Sequence, residues 1–151
     1  MKKLYALFLF FPLLSMITDA QDRNLTSVIV STSYTYISNT TVQITFDFDS
    51  EGKNNPGNLV VYHSMTFPSG VTVNSASDIY ENVQPQSLLL NSISGSIVDW
   101  GDPALSTTNG YLRVRKKSTF SVYVTINASF SGDMVISYTT KDNLYGNFPH
   151  I

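Results

Sequence analysis

The chain contains no cysteine. That excludes a disulfide framework, a thiol nucleophile and a lipid anchor carried on a cysteine. Charge is sparse: Lys and Arg number 9 and Asp and Glu 11 in 151 residues. The small acidic excess does not favour nucleic acid, which calls for a clustered basic face. Histidine occurs twice, at His63 and at His150 beside the end. Two ligands so placed do not make a zinc site, which needs three or four that converge. There is no G-x-S-x-G elbow for a serine nucleophile. No segment after the N-terminus carries an apolar stripe at helical spacing over three turns, and none is long and apolar enough to cross a membrane.

One apolar run is present. Lys2 and Lys3 precede Leu4 to Met16, and Thr18-Asp19-Ala20 ends in a small residue. This is the pattern of a secretory signal peptide over 1–20, cleaved after Ala20, with an uncleaved N-terminal anchor as the alternative. It is shorter than the roughly 18–20 residues of a membrane-spanning helix, and Pro12 interrupts it. The mature chain, 21–151, is then about 131 residues, a length that suits one domain with its own core. Without Lys2, Lys3 and Asp19, the 9 basic and 11 acidic residues become 7 and 10, a formal charge of −3. The expected address is secreted or cell-surface.

What the mature chain has in abundance is alternation. In Thr41 to Asp49, Val42, Ile44, Phe46 and Phe48 share one face and Gln43, Thr45, Asp47 and Asp49 the other. In Phe120 to Phe130, Phe120, Val122, Val124, Ile126, Ala128 and Phe130 oppose Ser121, Tyr123, Thr125, Asn127 and Ser129. Successive side chains of a strand point to opposite faces, so each run has a buried and a wet side. Further strands are predicted over Ser27–Ile37, Asn58–Phe67, Val71–Val73, Ser87–Leu90, Ser96–Trp100, Tyr111–Arg115 and Met134–Thr140, all rich in Val, Ile, Thr, Tyr and Phe. Turn signals separate them, among them Ser38-Asn39, Pro68-Ser69-Gly70, Asn109-Gly110 and Ser131-Gly132-Asp133. About seven to nine short strands at this spacing read as an all-β antiparallel sandwich, with a closed barrel as the rival.

The stretch "MTFPSGVTVNSAS" resembles a segment of the immunoglobulin-like repeat domains of bacterial surface and secreted proteins, of the Bacteroidetes type. The resemblance continues in "IVDWG" and in "RKKSTFSVYVTINASFSGDMVISYTT", so that it covers roughly Thr40 to Thr140. Two departures are visible. "RKKS" stands where those domains carry a glycine-containing turn, and only one copy is present. The resemblance implies an immunoglobulin-like fold and a non-catalytic spacer, adhesin or interaction module. Such domains are usually followed by more chain, so the end at Ile151 reads either as a truncation or as a small free-standing protein.

Several residues are candidates for chemistry. "DFDSEGKNNPGN" places Asp47, Asp49 and Glu51 before Gly52, like the start of a calcium loop. Its twelfth position is Asn58, which cannot supply a bidentate carboxylate. An acidic hairpin tip is the plainer reading, with a looser calcium site as the alternative. "DWGDP" sets Asp99 and Asp102 around the lone Trp100. Paired carboxylates suit glycoside hydrolysis, and an exposed Trp stacks on sugars. A strand end capping the core explains the same residues. His63 is in phase with Leu59, Val61, Met65 and Phe67, which turns it inward or to an edge. "RVRKK", Arg113 to Lys117, would meet an anionic polysaccharide or blunt a sheet edge. Tyrosine is frequent, at Tyr34, Tyr36, Tyr62, Tyr80, Tyr111, Tyr123, Tyr138 and Tyr145. Tyr62 and Tyr123 fall out of phase with the core set; with Trp100 they are the candidate ligand platform, and simple pairing across strands is the plainer reading of the tyrosines.

The sequence therefore points to a non-catalytic secreted or surface β-sandwich in structural or adhesive interactions, with a protein or a surface polysaccharide as partner. Two other readings stay open. One is a carbohydrate-binding module using Trp100 and exposed tyrosines. The other is a small glycan-acting enzyme using Asp99 or Asp102.

Overall fold

The computed structural model describes residues 26–51, 59–83 and 85–143. The signal-peptide region, the loop from Gly52 to Asn58, Tyr145, His150 and the chain end lie outside the described residues. Among the described residues no helix forms. Eleven strands follow one another: β1 (Thr26–Tyr36), β2 (Thr41–Glu51), β3 (Leu59–Thr66), β4 (Val71–Ala76), β5 (Ile79–Glu81), β6 (Ser87–Leu88), β7 (Leu90–Ser94), β8 (Ile97–Gly101), β9 (Leu112–Arg113), β10 (Lys117–Ile126) and β11 (Ser137–Asp142).

They form two antiparallel sheets packed face to face, the sandwich that the alternation predicts. The first runs β1-β2-β10-β5-β6, with β4 also on β10. The second runs β11-β3-β8-β7, with β9 also on β3. Val42, Ile44, Phe46 and Phe48 of β2 and Phe120, Val122 and Val124 of β10 fill the inner face of the first sheet, all buried. Val60, Met65, Val98 and Trp100 join them in one core cluster from the second. Phe120 stacks on Phe46 at 5.0 Å and meets Trp100 edge-on at 5.0 Å. Burying an apolar side chain of this size contributes roughly 1.5–3 kcal/mol, so these strands carry most of the driving force.

The corner at Pro68 works as its residues dictate. Pro68 has no N–H to extend the ladder, and its carbonyl accepts from Val71 N at 3.1 Å. Gly70 takes φ 87, a value that a turn requires here and that a side chain resists.

Several predicted strands are corrected: Val71–Val73 extends to Ala76, and Ser87–Leu90 breaks at Leu89 into β6 and the start of β7. The run Phe120–Phe130 stops at Ile126. Beyond it the Asn127 side chain accepts from Ser129 N at 3.0 Å, and Phe130 N donates to Asn127 O at 2.9 Å, so a local turn takes over. Ala128 is left exposed. Tyr111–Arg115 contracts to Leu112–Arg113, and Lys117, expected in the turn, opens β10. There Arg115 sits at φ 65, left-handed, in the turn where the resembled domains carry a glycine. Met134–Thr140 begins as a strand only at Ser137 and runs on to Asp142. The short β5 is not announced by any alternating run.

The two flanks of the sandwich differ. The flank of β5, β6 and β9 is sealed by an ion pair. Glu81, 6% exposed, accepts from Arg113 N at 2.5 Å and from Arg113 Nη2 at 2.8 Å. This ties β5 of one sheet to β9 of the other. Removing the carboxylate leaves a part-buried backbone N–H and a partly exposed guanidinium without their acceptor. The Glu81→Ala variant is expected to lose about 1–2 kcal/mol, mainly for the backbone N–H left without its acceptor, read from chemical denaturation. Replacing Arg113 by an apolar residue as well should recover only the part of that loss due to the unpaired guanidinium, because the backbone N–H of residue 113 still lacks its acceptor.

Candidate functional site

The residues proposed as a platform do not share a surface. Trp100 is 0% exposed, packed on Phe120 and His63, and its Nε1–H donates to Ser77 O at 2.7 Å. It is a core residue and cannot stack on a ligand, which corrects the sugar-stacking expectation. Tyr62 lies on the outer face of the second sheet. Its hydroxyl donates to Asp99 Oδ1 at 2.9 Å, and Lys141 Nζ stands 5.3 Å over its ring. Burial holds its hydroxyl above the usual tyrosine range, and the Asp99 carboxylate adds to this. Tyr123, on β10, pairs with Gln43 of β2 and Ser75 of β4 on the first sheet. The sandwich core separates the two tyrosines, so no single ligand spans them.

The carboxylates have structural work. Asp99 also accepts from Ser92 Oγ at 3.0 Å, bridging β7 and β8. Asp102 accepts from Ala104 N at 2.8 Å and from the Ser106 hydroxyl. Those two bonds, the hydroxyl first, hold its carboxyl below the usual range. Of the acidic trio, Asp47 is exposed and accepts from Thr119 Oγ1 at 3.1 Å, and Asp49 stands opposite Lys117 in the ladder. The rest of that loop lies outside the described residues, and Glu51 is placed only as the last residue of β2. Among the described residues no three acidic, histidine or cysteine side chains gather around a cation position.

His63 turns inward, as its phase predicts. It is 0% exposed, with ring neighbours Phe48 at 5.0 Å, Trp100 at 5.6 Å, and Phe120 and Tyr138 at 5.8 Å. Nδ1 lies 2.8 Å from Thr140 Oγ1, while Nε2 has no partner among the described residues. Burial lowers its pKa to about 3. A neutral imidazole sealed in the core has no route to a substrate.

The accessible site is elsewhere, on the flank of β1 and β11. Both are edge strands, one from each sheet. In register, Thr32, Tyr34 and Tyr36 stand opposite Phe46, Ile44 and Val42, so they share the core-facing side of the first sheet. Likewise Tyr138 stands opposite Met65 on the core-facing side of the second. Yet Tyr34 and Tyr36 are each 68% exposed and Tyr138 39%. Between them opens a groove of about 420 Å³, within the size range of ligand pockets. Its floor is Val42, Ile44, Phe46 and Met65, and Ile126, Met134 and Ile136 continue its lining. Tyr34 and Tyr36 meet edge to face at 5.7 Å along the rim. Among the described residues no charged side chain lines it. The sequence held one clue to this site, namely that Thr26 to Thr41 contains no charge, no proline and no glycine.

Fold and site together define an antiparallel β-sandwich with a tyrosine-rimmed apolar groove at its open flank. No known protein family matches the chain, and no curated protein sequence is similar to it. Among solved structures, one similar chain is an archaeal chitinase in ligand-free form, at 8% identity and a TM-score of 0.41. The match covers 72% of this chain and 21% of the chitinase.

Proposed function

We propose that this protein is an exported, non-catalytic β-sandwich module with a structural or adhesive role, and that it holds its partner in the groove between β1 and β11. Export rests on the signal-peptide pattern at 1–20. The observation that carries the binding reading is the exposure of Tyr34 and Tyr36, 68% each, on the core-facing side of a strand. Side chains in that phase are ordinarily covered. Contiguous apolar surface left open beside polar side chains marks an interaction site.

Carbohydrate binding is the second reading. Paired, exposed tyrosine rings favour it, since an aromatic face packs on the apolar face of a sugar ring.

The test is binding of fluorescently labelled protein to a panel of surface proteins and polysaccharides, with and without Tyr34→Ala/Tyr36→Ala. The double variant is expected to lose at least about tenfold in affinity, because aromatic anchors dominate such sites. Its melting temperature should stay within a few degrees of the parent, because neither ring is buried. A partner bound equally by both proteins would move the site off this groove.

A further inference from the structure

Four features of the open flank converge on one kind of occupant. First, β1 is an edge strand of 11 residues whose only ladder among the described residues is with β2. Its other edge presents a row of backbone donors and acceptors. Second, that edge lacks the usual protection. Thr26 to Thr41 has no lysine, no other charge and no proline; a single register shift between Ile29 and Ser31 is its one irregularity. Third, the apolar groove runs beside this edge, between the core-facing sides of β1 and β11. Fourth, among the described residues no charged side chain lines the groove, so a charged occupant would be desolvated there without compensation from them.

A compact ligand would use the groove and leave the edge idle. An extended polypeptide uses both. Its backbone continues the ladder of β1, and every second side chain drops between the sheets.

We propose that the groove takes an extended, uncharged polypeptide segment of a partner protein, which adds to β1 as a further strand and turns alternate apolar side chains into the mouth of the groove beside Tyr34 and Tyr36, facing the side of β11. This rests on the groove being the binding site and specifies its partner as a strand. The rim tyrosines close over the inserted side chains, while the outward side chains of the added strand continue the polar face of Ser33 and Thr35.

The probe is a capped synthetic nonapeptide alternating Ile or Val with Thr. Three controls accompany it: the same composition with the apolar residues clustered, and two versions N-methylated at alternate amides, one in each phase. Strand addition predicts binding of the alternating peptide and loss by at least about tenfold for the clustered one. Only one of the two N-methylated versions should bind, because one set of amides faces β1 and the other faces away. Amide exchange along β1 should slow on binding. Tyr34→Lys, which places a charge over the floor at an exposed position, should abolish binding with the melting temperature retained.

Three results would overturn the proposal: no binding of the alternating peptide at millimolar concentration, indifference to both N-methylation patterns, or unchanged exchange in β1. Concentration-dependent dimerisation that protects β1 would replace it with a second copy of this chain as the occupant. The groove itself is tested separately. A polysaccharide or protein lost on Tyr34→Ala/Tyr36→Ala keeps the site while the strand fails.

Discussion

The Gly101→Ala variant is expected not to fold. Gly101 ends β8 beside Trp100 with φ 77. A Cβ there would lie 2.0 Å from Val61 O and 2.7 Å from Leu88 Cδ1. The carbonyl cannot retreat, because Val61 O accepts from Asp102 N at 2.9 Å, nor can the glycine, whose N–H donates to Leu89 O at 2.8 Å. Overpacking of backbone on backbone, added to the left-handed penalty, costs more than about 4 kcal/mol, a large share of the stability of a small protein. Gly95 is the control. It also has positive φ, 61, but nothing lies within 4 Å of its would-be Cβ. Gly95→Ala should therefore cost only the conformational term, about 1–2 kcal/mol. Soluble yield and circular-dichroism melts of the two variants separate clash from strain. Equal behaviour would mean that β8 does not approach Val61 as closely as described.

The second large effect is acid sensitivity from His63. Its folded-state pKa is about 3, against an ordinary value of 6.5, because burial penalises the imidazolium. Below about 6.5 the unfolded chain takes up a proton that the folded chain refuses. Stability is thus fully present above 6.5 and falls as the pH drops toward 3, by up to about 1.4 kcal/mol per pH unit. Carboxylates titrate in the lower part of that window, so the difference between parent and variant is the diagnostic quantity. His63→Leu keeps an apolar side chain among Phe48, Trp100 and Phe120 and removes the Nε2 that finds no partner among the described residues. Urea denaturation from pH 7 to 4 should show the parent losing stability faster than the variant from about pH 6 downward. Parallel curves would sink this account.

Much of the fold was legible because these strands are half-buried. Alternation in β2 and β10 gives the core face residue by residue, and the same phase turned His63 inward. Burial of Trp100 was weighed as a strand end and is what the structure shows. Strand ends were less legible, because Asn127 and Arg115 decide them through side-chain and left-handed backbone geometry that periodicity does not carry. The short β5 is held by its ladders with β6 and β10 rather than by local pattern.

The site was missed for a different reason. Tyr62 and Tyr123 were favoured because they face outward, whereas Tyr34, Tyr36 and Tyr138 are in the inward phase, the one normally assigned to the core. Whether an inward residue is covered depends on how far the opposite sheet extends. That is a relation between strands remote in sequence, here β1 and β11, and no local window contains it.

The overhang of β1 has a consequence for how such a protein can change over generations. Thr32, Tyr34 and Tyr36 carry little of the core, which is held by β2, β10, β3 and β8. On the proposed binding role of the groove, substitutions at these three positions alter what is recognised while leaving folding nearly untouched. On that reading, specificity and stability are written in different residues, so a lineage can retune the first without endangering the second.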